Sequence, residues 1–265
     1  MNDSVVFDGK SFAKEREEKL LKILVRLPKK PKLVAILVGN NPESELYLKI
    51  KQKKAEKLGI GFEFKKFSDN QPKEIIDFIN QKNADPEVNG IIVELPLPTG
   101  FQILDSISPS KDVDCLTTEN LKLLAEGKPR FVPPTVKAVG EILGKRKGKI
   151  IVVGSKGAVG RGILDYLKNA EGVDRETKDL ASITKTADIL ISATGVGHLI
   201  KKEMVKPGAV VIDVGIEKQS DGNLKGDVDF EKVRERTSFI TPVPGGVGPI
   251  TVICLMENLI GSVYH

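Results

Sequence analysis

In "LVGNNPESELYLKIKQKKAEKLGI", residues 37–60, one lysine sits where lysine is least expected. Asn41 reads as a helix N-cap, Pro42 as the first helical position and Gly59 as the stop. Leu48, Ala55 and Leu58 share an apolar stripe on that helix, and helical spacing adds Lys51, one turn after Tyr47. Lys49, Lys53, Lys54 and Lys57 are expected to reach water. An inward, partly desolvated lysine has a lowered pKa and can transfer protons near neutral pH. Glu94 ends the apolar run of "GIIVELPLP", and an acid at the edge of a buried strand needs a partner, which Lys51 offers. Asp112 and Asp114 in "KDVDC" are one residue apart, so on an extended chain both carboxylates point the same way; a surface pair or a loop cap is the alternative. Two glycine-rich turns complete the set. "KIIVVGSKGAVGRGILDYL" reads as strand, turn and helix start, where glycines let amides approach a phosphate. Its Gly154, Gly157 and Gly160 do not follow G-x-G-x-x-G, and plain strand–helix packing is the alternative. "TPVPGGVGPIT" fixes a rigid turn ahead of an apolar helix whose N-terminus aims at whatever lies there.

The elements that must position these residues follow from the apolar patterning. "KLVAILVG", "GIGFEFKKF" and "GIIVELPLP" come early, and "KIIVVG", "ADILISATG" and "AVVIDVGI" late, with amphipathic helical segments between them. Such alternation predicts an α/β protein with parallel sheets. "SPSKDVDCLTTENLKLLAEGKPRFVPPT" interrupts it and marks a domain boundary, with "PTVKAVGEILG" leading into a second lobe. Two lobes so joined are expected to flank a cleft, with ligands beyond the carboxyl ends of the strands. "ELPLPTG", "GSKGAVGRG" and "TPVPGGVGPIT" are the turns placed to reach them.

Composition narrows the function classes. The 265 residues carry 41 Lys+Arg against 36 Asp+Glu, a net charge of +5 without an aromatic-rich basic block, so nucleic acid is not an expected partner. Cys115 and Cys254 neither form a disulfide scaffold nor have metal-ligand neighbours, and no metal is expected. "MNDSVVFDGK" has neither signal nor transit character, and no apolar run approaches the roughly 18 residues of a membrane span. A soluble, cytoplasmic protein without membrane contact is expected.

Taken together, "VGNNPESELYLKIK", "GIIVELPLP", "KDVD", "GAVVIDVGI", "GDVDF" and above all "TPVPGGVGPIT" resemble, in order and spacing, the bifunctional methylenetetrahydrofolate dehydrogenase/methenyltetrahydrofolate cyclohydrolase family. The resemblance implies a folate-binding catalytic domain over 1–125, completed by a C-terminal helix at 248–265, and a Rossmann-like NAD(P)-binding domain over 126–247. A homodimer is implied as well. It implies oxidation of 5,10-methylenetetrahydrofolate with NADP, or alternatively NAD, and hydrolysis of the methenyl product to 10-formyltetrahydrofolate. Lys51 matches the catalytic lysine, Tyr47 the tyrosine that packs on the folate aminobenzoyl ring, and Asp114 the carboxylate that holds the pterin. Glu94 takes the place of the lysine's partner. Leu95, Pro244, Gly245, Gly246 and Val247 are implied around the folate, and Gly154, Ser155, Lys156, Val159, Gly160, Arg175, Ile216 and Thr251 around the dinucleotide.

Four departures from the family pattern bear on activity. Glutamine is usual where this chain has Glu94, and a carboxylate favours charged lysine. Gly-Phe-His usually follows "KDVD", whereas here Cys115, Leu116 and Thr117 do. The nucleotide turn reads Gly154-Ser155-Lys156 and Gly160-Arg161-Gly162 in place of Gly-Arg-Ser and Gly-x-Pro. The second Rossmann strand with its His-Ser-x-Thr end is reduced to "EGVDRETKDL", which lacks a convincing apolar strand, although Lys156 and Arg175 could hold a 2′-phosphate by charge. A dehydrogenase without cyclohydrolase activity and a non-catalytic folate-binding protein are therefore the rival readings, and a nucleic-acid-binding module, suggested by the pI of 9.0 alone, is a third.

Overall fold

The computed structural model describes residues 4–69, 71–98, 102–218 and 223–264. The chain divides into two compact units, one of Met1–Lys14 with Thr135–Thr251, the other of Glu15–Pro134 with Val252–His265. These differ from the expected boundaries of 125/126 and 247/248. The N-terminal segment joins the later unit because Val5–Val6 pairs in parallel with Thr237–Ile240. A two-residue strand leaves too short an apolar pattern to read from sequence.

In the unit of Glu15–Pro134 and Val252–His265, three parallel strands lie in the order Gly61–Phe67, Lys32–Val38, Gly90–Val93. The central strand is buried from Leu33 to Val38, which explains its unbroken apolar run. Gly61–Phe67 is an edge strand, and its lysines and Glu63 can face outward. Ile75, Phe78 and Ile79 of the helix Pro72–Ala84 pack with Val34, Ile36, Val38 and Ile91 into one core. The helix Val247–Gly261 enters this unit with Val252, and its Asn258 amide donates to the Val113 and Val132 carbonyls at 2.9 and 2.8 Å. Contrary to the sequence expectation, Val247–Tyr264 does reach membrane-spanning length and apolarity, with a mean hydropathy of 1.4. Ile250, Ile253, Leu255, Met256 and Leu259 on it are nevertheless buried inside the protein, as in a core helix.

The other unit holds a six-stranded, wholly parallel sheet in the order Val5–Val6, Thr237–Ile240, Ala209–Asp213, Ile189–Ser192, Ile150–Val153, Ala170–Val173. After Ile150–Val153 the chain goes first to one side and then to the other. The carboxyl ends of Ile150–Val153 and Ile189–Ser192 thus form a topological switch point, the place where doubly wound sheets bind ligands. The segment expected to lack a strand begins inside one, Ala170–Val173, paired in register with Ile150–Val153. On a sheet edge the backbone ladder carries the pairing, and of its four residues only Val173 is buried. An apolar run was therefore not required.

Candidate functional site

Asn41 caps the helix Pro42–Lys57 by accepting from the Glu43 and Ser44 amides, and Gly59 leaves it at φ +69°. Ser44, Leu48, Ala55 and Leu58 are buried along one stripe, with Lys51 on it at 12 % side-chain exposure. Two neighbours pin the helix. Ser44 Oγ donates to the Leu95 carbonyl at 2.9 Å, and buried Glu17 accepts from both Lys54 and Lys57, so Lys54 is tied down where sequence placed it in water.

Lys51 Nζ donates to Glu94 Oε1 at 2.8 Å, and Asp114 Oδ2 lies 3.9 Å away. The partner inferred for the strand-end acid is thus in place. Burial depresses the lysine pKa, but the carboxylates of Asp114 and Glu94 outweigh it and hold the ammonium above its ordinary range. Burial pushes Glu94 up, and the Lys51 charge offsets this only in part. Asp114 is also raised by burial against the pull of Lys51. One cation therefore serves two reluctant carboxylates. Tyr47 is half-buried, its hydroxyl pKa raised by burial, and Leu95 stands 46 % exposed beside Glu94 at the cis Leu95–Pro96 bond. Thr99 and Gly100 of that turn lie outside the described residues.

The two aspartates do not point the same way, because residues 111–114 form a turn and not an extended segment. Asp112 is fully buried as a loop cap, accepting from the Leu116 and Thr117 amides, the Thr117 hydroxyl and the Asn120 amide. That rigid loop leaves Asp114 to face Lys51. The next residue, where the family pattern has glycine, keeps a glycine-like backbone: Cys115 has φ +57°, a conformation glycine adopts at no steric cost. Its thiol donates to the Phe131 carbonyl at 3.3 Å and is pushed up to about 12 by burial, so it is no nucleophile.

In the other unit, Gly154, Ser155, Lys156, Val159 and Gly160 form the turn and helix start at the switch point. A Cβ on Gly160 would lie 2.2 Å from the Gly154 carbonyl oxygen, and one on Gly154 would lie 2.4 Å from that of Ala193. Close packing thus accounts for these glycines. Gly157, the N-cap of the helix Ala158–Tyr166, supplies no side-chain cap, so the first-turn amides suit the pyrophosphate of a dinucleotide. Lys156 is paired with Asp174 and Glu176, Arg175 is exposed, and Ile216 is 40 % exposed. Thr251 Oγ1 donates to the Val247 carbonyl within the helix. In the C-terminal turn Pro244 is exposed and Gly245 has φ +106°, whereas Gly246 and Val247 are buried. A Cβ on Gly9 would fall 1.9 Å from the Gly246 oxygen, so packing accounts for part of this turn too.

Sequence reasoning passed over Asp213 and Asp227, although Asp213 ends an apolar strand as Glu94 does. Asp213 accepts from the Gly215, Asp227 and Val228 amides, and burial pushes it up to about 7. Asp227 Oδ2 accepts from Ser192 Oγ and the Thr194 amide, while its Oδ1 is buried without a hydrogen-bond partner. Together they tie down the loops that follow two neighbouring strands. The folded-state pKa of Asp213 exceeds the unfolded value of 3.8, so its contribution is fully present below about pH 4 and is lost as pH rises through about 7. At ~1.4 kcal/mol per unit the loss is on the order of 2–4 kcal/mol. Melting curves from pH 5 to 8 should therefore fall more steeply for wild type than for Asp213→Asn, and parallel curves would refute the shift.

Comparison with known proteins agrees with this division of labour. Residues 7–114 match the model of the tetrahydrofolate dehydrogenase/cyclohydrolase catalytic domain, and 133–265 that of the NAD(P)-binding domain of the same proteins. The bifunctional protein FolD of Aquifex aeolicus is 44 % identical over 98 % of this chain and 95 % of its own. The crystal structure of the Campylobacter jejuni bifunctional enzyme FolD, methylenetetrahydrofolate dehydrogenase/cyclohydrolase, superposes with a TM-score of 0.93 at 37 % identity, covering 98 % of this chain and 99 % of the other. The Trypanosoma brucei enzyme, complexed with NADP cofactor and inhibitor, gives 0.93 at 32 % identity, covering 100 % and 98 %. Over essentially its whole length, then, this chain belongs to the tetrahydrofolate dehydrogenase/cyclohydrolase family.

Proposed function

We propose that the chain oxidises 5,10-methylenetetrahydrofolate to the 5,10-methenyl cation with NADP and then hydrolyses that cation to 10-formyltetrahydrofolate, in the cytoplasm and as a homodimer. The observation that carries this reading is Lys51, inward on its stripe and held at 2.8 Å by Glu94 and 3.9 Å by Asp114, in the unit matched by the catalytic-domain model. The dinucleotide, when bound, supplies the hydride acceptor. Its pyrophosphate fits the uncapped helix start after Gly157.

The protein's own groups account for the rest. Tyr47 and Leu95 offer ring and aliphatic surface to the folate, and Asp114, an acid close to Lys51, can accept from pterin N–H groups. The second reaction adds water to the methenyl carbon, releases one proton and breaks a carbon–nitrogen bond of the five-membered ring. Lys51 can relay that proton between the added water and the departing nitrogen. Positioning of two bound reactants is the main requirement of the first reaction, which needs no proton on lysine.

The test is direct. Purified protein with methylenetetrahydrofolate should reduce NADP, followed as absorbance of the reduced nicotinamide and of methenyltetrahydrofolate. Supplied methenyltetrahydrofolate should decay faster than in buffer. Turnover in neither assay would reject the reading in favour of a non-catalytic folate-binding protein.

A further inference from the structure

The strand Ala170–Val173 ends beside the glycine turn, since the Gly154 and Ser155 amides both donate to the Val173 carbonyl, at 2.9 and 3.1 Å. The residue that follows is Asp174. In doubly wound sheets an acid at this place, about 20 residues beyond the first glycine, accepts from the ribose 2′-hydroxyl of an unphosphorylated dinucleotide. Asp174 is built in: its side chain is only 15 % exposed, its amide donates to Thr177 Oγ1 at 3.0 Å, and its Oδ1 accepts from the Glu176 amide at 2.8 Å. Oδ2 lies 3.2 Å from Lys156 Nζ, which also donates to Glu176 Oε2 at 2.5 Å. The lysine that sequence offered to a 2′-phosphate is thus shared between two carboxylates. A phosphate there would have to displace Lys156 from both and then lie against their negative charge.

Resting on the dinucleotide reading above, we infer that Asp174 and Glu176 are the selectivity residues at the adenosine ribose, and that they admit the free 2′-hydroxyl, so that NAD serves this chain alongside NADP. Asp174 receives the hydroxyl on Oδ2 while Oδ1 keeps the turn in shape. Glu176 holds Lys156 and adds charge against a phosphate. Arg175 lies exposed between them.

The experiment compares kcat/KM for NADP and NAD, and their calorimetric Kd values, in wild type, Asp174→Asn, Glu176→Gln and the double variant. The wild-type ratio of NADP to NAD should lie within about ten-fold of one. In the double variant it should rise about ten-fold through KM and Kd, with kcat little changed. Glu176 is exposed, so the Glu176→Gln protein folds whatever Asp174 contributes to the turn, and it should show a smaller rise of the same sign. A wild-type preference for NADP above about ten-fold, or a ratio unmoved in the double variant, overturns the inference. Expected Kd ratios without turnover would uphold it and sink the catalytic reading. Binding of neither dinucleotide would overturn both.

Discussion

Lys51→Ala should lower methenyltetrahydrofolate hydrolysis by about 10²–10⁴-fold, the range that a positioned proton-transfer group supplies. Among the described residues Lys51 is the cation paired with Glu94 and Asp114, and their charges hold its ammonium above its ordinary range although burial by itself pulls it down. Truncation removes the proposed relay and leaves buried Glu94 and partly buried Asp114 without their shared cation. Both have raised pKa values and can take up a proton. The stability loss should therefore stay below the roughly 3–5 kcal/mol expected when a charge is stranded in a protein interior. Circular dichroism melting should show a folded protein, and hydride transfer should fall less than hydrolysis because it depends on placement of the ligands. Hydrolysis at the wild-type rate would remove Lys51 from the mechanism.

Glu94→Gln should raise hydrolysis at neutral pH and move its optimum downward. Glu94 raises the Lys51 pKa both by its charge and by its hydrogen bond, although Asp114 is the larger electrostatic partner. A neutral amide oxygen can still accept from Lys51, as Glu94 does at 2.8 Å, while the charge is removed. Each unit by which the lysine pKa falls gives up to about a ten-fold larger free-amine fraction at a given pH below that pKa. The expected gain is therefore about three- to ten-fold near pH 7, with the rising limb of the profile, which follows loss of the lysine proton, displaced to lower pH. Asp114 remains, so the lysine should not become an ordinary free amine at neutral pH. If Glu94 were itself the base, the same substitution would depress the rate. Paired pH–rate profiles of both half-reactions separate the two, and a lower hydrolysis rate in the variant would sink the first account.

Much of this arrangement is local, and to that extent the sequence determined it. The helix carrying Lys51 follows from Asn41, Pro42 and Gly59 acting within a few residues, and the inward lysine follows from a period of 3.6. The apolar strands and their parallel pairing follow from runs too short for helices and too apolar for a solvated face. Tertiary structure decided what local rules cannot reach. Val5–Val6 and Ala170–Val173 are strands because neighbours offered them backbone partners, not because of their side chains. Asp112 and Asp114 share a dipeptide spacing, but a turn capped by Thr117 and Asn120 gives one to structure and one to the lysine. Asp213 and Asp227 acquire their setting from strands and loops distant in sequence, and Lys156 is taken by carboxylates that only strand pairing brings near. A side chain's charge state and free valence depend on which distant groups exclude water from it, and that is settled when the sheet assembles.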